Sequence, residues 1–354
     1  MVREIYRELQ QRLDKYSMGF PATETEVEVR ILEKLFTEDD ARMFLAMSPR
    51  LEPAAQVAAR LDRPEPEVEA KLEDMAERGL LFAHRKGDVT RYGAVPFVHG
   101  LFEFQVNRLD RELADLVERY FEDGFSRNMI DNAGHFLRTV PVNAAIPVEH
   151  QVASYEDAVE ILEGKDTIVV AECICRKQRD TVDRSCGKPL EVCFLFGSMG
   201  QYYLDHEMGR TVSLDEATKI LLSAQEAGLV TQPASSQNPT GMCNCCGDCC
   251  GVLRSINLHP RPAEIVFSNH FAVIDEDLCN ACESCLDRCQ VDALVLEDLT
   301  MQVNLDRCIG CGLCVGACPE EAITLSLKPE DQRRVPPRTS AEQMFGMAMK
   351  RGVI

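Results

Sequence analysis

The hydrophobic pattern changes character along the chain. Ile5, Leu9, Leu13 and Tyr16 recur every three or four residues, the spacing of one helix face. Further on, "EPAAQVAARLDRP" carries Val57, Ala58 and Leu61, and "EPEVEAKLEDMAERGLL" carries Val68, Leu72 and Met75. Both runs have helical spacing, which predicts a helix-turn-helix pair closed at Gly79, because glycine readily takes the left-handed conformation that ends a helix. "LLFAHRKGDVTRYGAV" alternates in short runs on either side of Lys-Gly-Asp and predicts a β-hairpin. "VNRLDRELADLVERYFEDGF" returns to the helical period, with Leu109, Leu113, Leu116, Val117 and Tyr120 on one face. That stripe suits core packing or a homodimer contact equally.

Residues 139–153, "TVPVNAAIPVEHQVA", read as extended. Ser154 is the expected N-cap of a helix closed by Gly164, and the β-branched run Thr167 to Val170 predicts a strand. Ser213 with Glu216 three residues on makes a capping box, and Gly228 ends that helix. The middle of the chain therefore reads as α/β, with its cysteines on the loops. "RRVPPRTS" after residue 328 reads as a linker or loose arm. The expected organisation is multidomain α+β. An N-terminal helix (1–22) is followed by a helical and hairpin unit with its long helix (23–130). A Cys-rich α/β domain (131–262), a small cluster-binding domain (263–328) and a tail (329–354) complete the chain.

The helices and hairpin of roughly residues 23–97 resemble a winged-helix domain. Such a domain reads DNA by placing the second helix of its pair in the major groove. Here that segment carries Glu65, Glu67, Glu69, Glu73, Asp74 and Glu77 against only Lys71 and Arg78. Those acids would repel phosphates, so the favoured expectation is a winged helix used for packing or protein contact. The hairpin does offer a small basic cluster, His84, Arg85, Lys86 and Arg91.

Charge and cysteine content sharpen the picture. The chain of 354 residues has a net charge of −20 and a pI of about 4.8, which argues against nucleic acid as a partner. It is compatible with docking on a basic patch of a redox partner protein. The first twenty residues are charged throughout, so no secretory leader is expected, and no apolar run of membrane-spanning length predicts insertion in a bilayer. A cytoplasmic location follows as the expectation. Seventeen cysteines, all between Cys173 and Cys318, then point to metal or catalysis rather than disulfides.

"CNACESCLDRC" spaces Cys279, Cys282, Cys285 and Cys289 as C-x2-C-x2-C-x3-C. "CIGCGLCVGACP" repeats the spacing 29 residues later with Cys308, Cys311, Cys314 and Cys318. This double run resembles the bacterial two-cluster ferredoxins over roughly residues 270–326. The resemblance implies a small pseudo-twofold α+β fold and two [4Fe–4S] clusters. One would sit on Cys279, Cys282, Cys285 and Cys318, and the other on Cys308, Cys311, Cys314 and Cys289. Zinc sites more often pair C-x2-C units across longer loops. One departure stands out: Gln290 follows Cys289 where the family usually has proline. Its backbone N–H is available to a ligating sulfur, an expected source of unequal cluster potentials.

Nine cysteines lie upstream: Cys173, Cys175, Cys186 and Cys193, then Cys243, Cys245, Cys246, Cys249 and Cys250 in "CNCCGDCC". The favoured expectation is that both segments meet around one or two further iron–sulfur clusters, with Gly247 letting the loop turn. Structural zinc and a redox-active thiol site are the alternatives. Adjacent cysteines such as Cys245 and Cys246 project differently, so both rarely serve one metal. Arg176, Lys177, Arg179 and Arg184 either offset cluster charge or line a solvated loop. "CCG" at 245–247 resembles the CCG motifs of heterodisulfide reductase subunits, but the surrounding spacing departs from them and no activity is carried over. His206 with Asp205 and Glu207 reads as an exposed helix end, and Gly197 and Gly200 as a packing turn. The order as a whole resembles uncharacterised iron–sulfur proteins of anaerobic bacteria.

These observations predict an electron-transfer protein, or the electron-transfer subunit of an anaerobic oxidoreductase, with a redox protein as partner. Two alternatives remain open: a redox-sensing winged-helix regulator, and a reductase with an open-iron cluster in the middle domain.

Overall fold

A computed structural model describes residues 2–48, 50–141 and 154–353. Helices α1 (Val2–Leu13), α2 (Val27–Leu35) and α3 (Glu38–Ala46) form the first bundle. Strand β1 (Glu52–Pro53), helices α4 (Ala54–Leu61) and α5 (Glu65–Glu77), and strands β2 (Phe82–Lys86) and β3 (Val89–Gly93) follow. Leu9 and Leu13 of α1 are fully buried, while Tyr16 lies beyond the helix end. Val57, Ala58, Val68, Leu72 and Met75 meet in the core, as their spacing requires. α5 ends as expected: Gly79 has φ +72° and the Leu80 N–H reaches back to Met75 O at 2.8 Å. The hairpin turns at Gly87 and Asp88, and β1 adds a third strand in the order β1–β3–β2.

Helix α6 (Arg111–Tyr120) starts at Asp110, whose Oδ1 accepts the Leu113 N–H at 2.9 Å. Its apolar face, Leu113, Leu116, Val117 and Tyr120, is buried within the chain. Burying such side chains stabilises by about 1.5–3 kcal/mol each. After a break at Gly124 the chain continues as α7 (Ser126–Phe136).

The middle region comprises α8 (Ala158–Glu163), β4 (Ile168–Glu172), α9 (Ile174–Thr181), β5 (Glu191–Phe196), α10 (Gly197–Asp205), β6 (Gly209–Val212), α11 (Leu214–Glu226), β7 (Val230–Pro233), β8 (Gly241–Cys245) and α12 (Gly251–Leu258). Its sheet has the order β6–β4–β5–β8–β7, and every pairing in it is antiparallel. The expected α/β region is thus helices packed on an antiparallel sheet. The connections fit this: β7 and β8 pair directly and α9 joins the antiparallel neighbours β4 and β5, while α10 and α11 lead to strands that do not neighbour the ones they leave. The N-cap of α8 is Asp157 rather than Ser154; its Oδ1 accepts from Val159 N and Glu160 N at 2.7 and 3.0 Å. Ser213 caps α11 as expected, accepting from Glu216 N at 3.2 Å. Of the segment expected to be extended, Thr139 and Val140 do run beside Phe267 and Thr231, while 142–153 lie outside the described residues.

Helix α13 (Pro262–Ile265) leads to β9 (His270–Ile274), β10 (Leu294–Glu297), β11 (Thr300–Val303) and β12 (Ile323–Leu327). β9 pairs with β12 and β10 with β11. The tail is no loose arm. Asn269 clasps Arg334 by two hydrogen bonds at 2.9 Å, Gln237 N bonds Pro337 O at 2.8 Å, and Thr339 caps α14 (Ser340–Lys350). α14 buries Met347 completely, and Gln343 Nε2 donates to His135 O and Phe136 O at the end of α7. Among the described residues one large apolar core reaches from Tyr6 to Met347, and two smaller clusters lie in the middle region. Among the described residues no helix is long and apolar enough to cross a membrane.

Candidate metal centres

The two C-terminal cysteine runs follow β9 and β11. Each coils tightly through left-handed residues: Ala281 and Glu283 in the first run, Gly310 and Gly312 at the matching places in the second. At Gly310 the coil presses so close to β9 that a Cβ would lie 2.1 Å from His270 O. Cys289, Cys308, Cys311 and Cys314 line one small cavity with Ala272, Val291, Ile309 and Leu313. Cys285 in turn feels the charges of Cys318, Cys282 and Cys279. The last cysteine of each run therefore stands with the first three of the other.

Backbone donors are aimed at these sulfurs. Ala293 N–H reaches Cys289 Sγ at 3.1 Å and Ala322 N–H reaches Cys318 Sγ at 3.3 Å, the same contact in both repeats. Ala272 N–H meets Cys308 Sγ at 3.4 Å. Burial pushes the Cys311 thiol up to about 12 and raises Cys308 and Cys314 as well. Sulfurs that burial keeps protonated, yet that are supplied with N–H donors, fit a bound cationic iron core that would hold them as thiolates.

The sequence of residues 272–325 matches the family of 4Fe–4S dicluster domains. This part of the chain is a 4Fe–4S dicluster domain. Similar curated proteins include hydrogenase-4 component A of Escherichia coli, 37% identical over 91 residues, which are 25% of this chain and 43% of that protein. An uncharacterized ferredoxin of Methanocaldococcus jannaschii is 36% identical over 88 residues, 24% of this chain and 51% of the relative. The polyferredoxin MvhB of Methanothermobacter marburgensis is 32% identical over 93 residues, 23% of this chain and 21% of the relative. The chain thus spans about half or less of the curated relatives it matches. No solved structure matches. The proteins this domain resembles include ones named as ferredoxins and as a hydrogenase component, which supports electron transfer in general terms.

Upstream of it, the sheet gathers thiols on one face. β5 and β8 pair at Phe194 and Met242, so one step further Cys193 stands opposite Cys243, and Cys245 follows on the same face. Cys173 caps α9 at the end of β4, Cys175 lies in the first turn of that helix, and Cys250 caps α12. Half or more of the upstream cysteines are therefore on or beside regular elements, not on loops, because strand pairing is what brings them together. Each of six thiols interacts with two others, closing the ring Cys173–Cys175–Cys250–Cys245–Cys243–Cys193. Within it Cys173, Cys243 and Cys250 are held low by hydrogen bonds from neighbouring thiols, and Cys175, Cys193 and Cys245, which donate those bonds, are raised. Six thiols packed together, three of them buried and three half-buried, cannot all ionise unless a cation joins them, so this donor set suits a polynuclear metal centre.

The ring faces a cavity also lined by His99, Glu103, Met199 and Tyr203, residues that no cysteine spacing announced. Burial opposes the charge of His99, but the Cys243 sulfur and the nearby Glu103 raise it to about 9. Burial pushes Glu103 up to about 7. Cys186, Cys246 and Cys249 form a compact group of their own beside the ring, packed in one cluster with Cys173, Cys175 and Cys193.

The four basic residues between the upstream cysteines divide. Arg176 is 3% exposed, and its charge acts on Cys173, Cys193, Cys245 and Cys246. Arg179 and Arg184 instead hold Glu118, and Lys177 pairs with Glu172. His206 ends α10 and lies against the Tyr202 ring, and Gly200 packs where a Cβ would be 3.0 Å from Leu195 O.

Gln290 takes a part different from the expected one. The N–H that meets Cys289 Sγ belongs to Ala293. Gln290 Oε1 accepts the Gly247 N–H at 2.7 Å, and Gln290 O accepts from Asn257 Nδ2 at 2.8 Å. Gly247 has no left-handed φ; a Cβ there would sit 2.9 Å from Gln290 O. The glycine permits close approach of two chains rather than a turn.

Proposed function

We propose that this protein carries electrons between the dicluster domain and a further iron–sulfur centre in the ring of Cys173, Cys175, Cys193, Cys243, Cys245 and Cys250. In this reading Cys279, Cys282, Cys285 and Cys318 hold one [4Fe–4S] cluster, and Cys308, Cys311, Cys314 and Cys289 the other. Bound there, each cluster supplies a one-electron store at low potential. The carrying observation is the contact at Gln290. The residue after a dicluster ligand is hydrogen-bonded to the loop that supplies ring thiols. Val291, next along, lines the dicluster cavity. Arg176 offsets the negative charge of the ring thiolates, and apolar walls exclude water. Relatives of the ferredoxin kind imply a redox protein as partner, and the acidic surface favours a basic docking face on it.

The N-terminal helix pair and hairpin act in this reading as a winged helix used for packing. Tyr202 Oη of α10 donates within reach of Ala76 O and Leu81 O, at 2.9 and 3.0 Å, and so pins α5 and the start of the hairpin to the middle sheet. The six acids of α5 are exposed, which suits neither DNA groove. An anaerobic redox titration followed by electron paramagnetic resonance tests the route. Iron in excess of the eight atoms of two cubes, lost on Cys193→Ser and Cys243→Ser with the dicluster signals intact, is the expected result. Eight irons, unaltered by those substitutions, would end the proposal.

A further inference from the structure

The upstream thiols form two groups whose spacings differ. Cys186, Cys246 and Cys249 lie with all their sulfurs within 4.8 Å of one another, Cys186 and Cys246 at 3.9 Å. No other trio of metal-ligating side chains among the described residues is so compact, the dicluster cysteines included. Spacing reports nuclearity. One tetrahedral ion with bonds of about 2.3 Å to sulfur sets its thiolates about 3.8 Å apart. A four-iron cube carries each thiolate on a different corner iron and spreads them more widely. No three dicluster cysteines close to within 4.8 Å of one another, and the trio does.

We propose that Cys186, Cys246 and Cys249 bind a single zinc ion at a site separate from the six-thiol ring. Backbone direction supports the separation. Neighbours in sequence divide between the two groups: Cys245 and Cys250 face the ring, while Cys246 and Cys249 face the trio. Arg176 lies where both are in reach of its charge. Its Nη1 donates to Asn244 O at 3.0 Å, its Nε and Nη2 have no hydrogen-bond partner, and it acts on Cys246 as well as on the ring. A buried guanidinium beside sulfurs on two sides suits thiolates on both. No fourth His, Cys, Asp or Glu joins the trio among the described residues, and Cys186 is half-buried. The fourth position therefore falls to solvent or an exogenous ligand. The ion ties the loop before β5 to the loop after β8, and so fixes the backbone that carries Cys193, Cys245 and Cys250. The inference is independent of the electron route, since a zinc ion carries no electrons.

The test uses the full chain, purified anaerobically and supplied with zinc chloride. Zinc and iron are counted in the wild type, Cys186→Ser and Cys249→Ser, and zinc K-edge absorption reads the ligand shell of the wild type. About one zinc per chain with sulfurs at about 2.3 Å, lost at least tenfold in both variants with iron retained, is expected. Absence of stoichiometric zinc, a shell without sulfur, zinc retained in the variants, or loss of iron in its place would overturn it. If a variant fails to fold, cobalt(II) in the wild type decides: intense thiolate-to-cobalt bands support the site and their absence refutes it. The electron paramagnetic resonance of the dicluster domain reads the electron route separately in the same samples.

Discussion

Glu118→Gln isolates the contact that joins the N-terminal half to the cysteine-bearing half. Glu118 leaves α6 with 7% of its side chain exposed and receives Arg179 at 2.5 Å and Arg254 at 2.8 Å; Arg184, half exposed, adds a contact of little worth. Burial alone would raise the carboxyl pKa, but the hydrogen bond and charge of Arg254 and the charge of Arg179 outweigh it and hold it below the ordinary value. Glutamine keeps the shape and removes the charge, so no cavity term enters. Breaking a fully buried pair costs about 3–5 kcal/mol; Arg179 and Arg254 keep 14% and 23% of their side chains in water, so a loss of about 2–3 kcal/mol is expected here. For a chain of this length that is a fall of about 3 °C in Tm, followed anaerobically by circular dichroism. Because the folded pKa is depressed, the carboxylate's contribution is complete above the ordinary value of 4.5 and is lost only as pH falls through the folded value. The difference between variant and wild type should thus be flat from pH 8 to about 5.5. A Tm within half a degree of wild type, or a difference that shrinks between pH 8 and 6, would refute the reasoning.

Three further outcomes follow. Gln290→Ala removes the acceptor of the Gly247 N–H, about 1 kcal/mol, so hydrogen exchange at that amide should quicken roughly fivefold while the dicluster spectrum persists; unchanged exchange would contradict the docking contact. Gly310→Ala places a Cβ against His270 O at a left-handed position, and should cost the cluster held near Cys308 and Cys311, seen as about half the dicluster iron; full iron content would count against it. Ferricyanide should destroy the cluster at Cys279, Cys282, Cys285 and Cys318 first, because Cys282 is exposed while Cys308 is buried; simultaneous loss of both resonance signals would show the exposure to be irrelevant.

The parts legible in the sequence are those written in local spacing. The helix pair with Gly79, the hairpin at Gly87 and the capping of α11 each depend on residues a few positions apart. The dicluster runs are local too, which is why both repeats could be read directly. The upstream cysteines are set by strand register, and only the β5–β8 pairing places Cys193 across from Cys243. Their division into ring and trio depends on which way each of two adjacent side chains points, a tertiary matter. His99 and Tyr203 reach the ring cavity from distant elements with no motif of their own. The tail misled because its prolines read as a linker, whereas its carbonyls and Gln343 find partners on Asn269, Gln237 and α7.

Arg351 and Asp14 are 337 positions apart in the chain and 3.2 Å apart in space. Arg351 also donates to Ser17 O at 3.3 Å. A helix translated late, α14, is thus part of the packing around one translated early, α1. Synthesis runs from one end, so the amino-terminal bundle waits, incompletely covered, while every cysteine is translated. Metal loading and the closing of this contact are thereby brought into the same interval, after the cysteines have been translated.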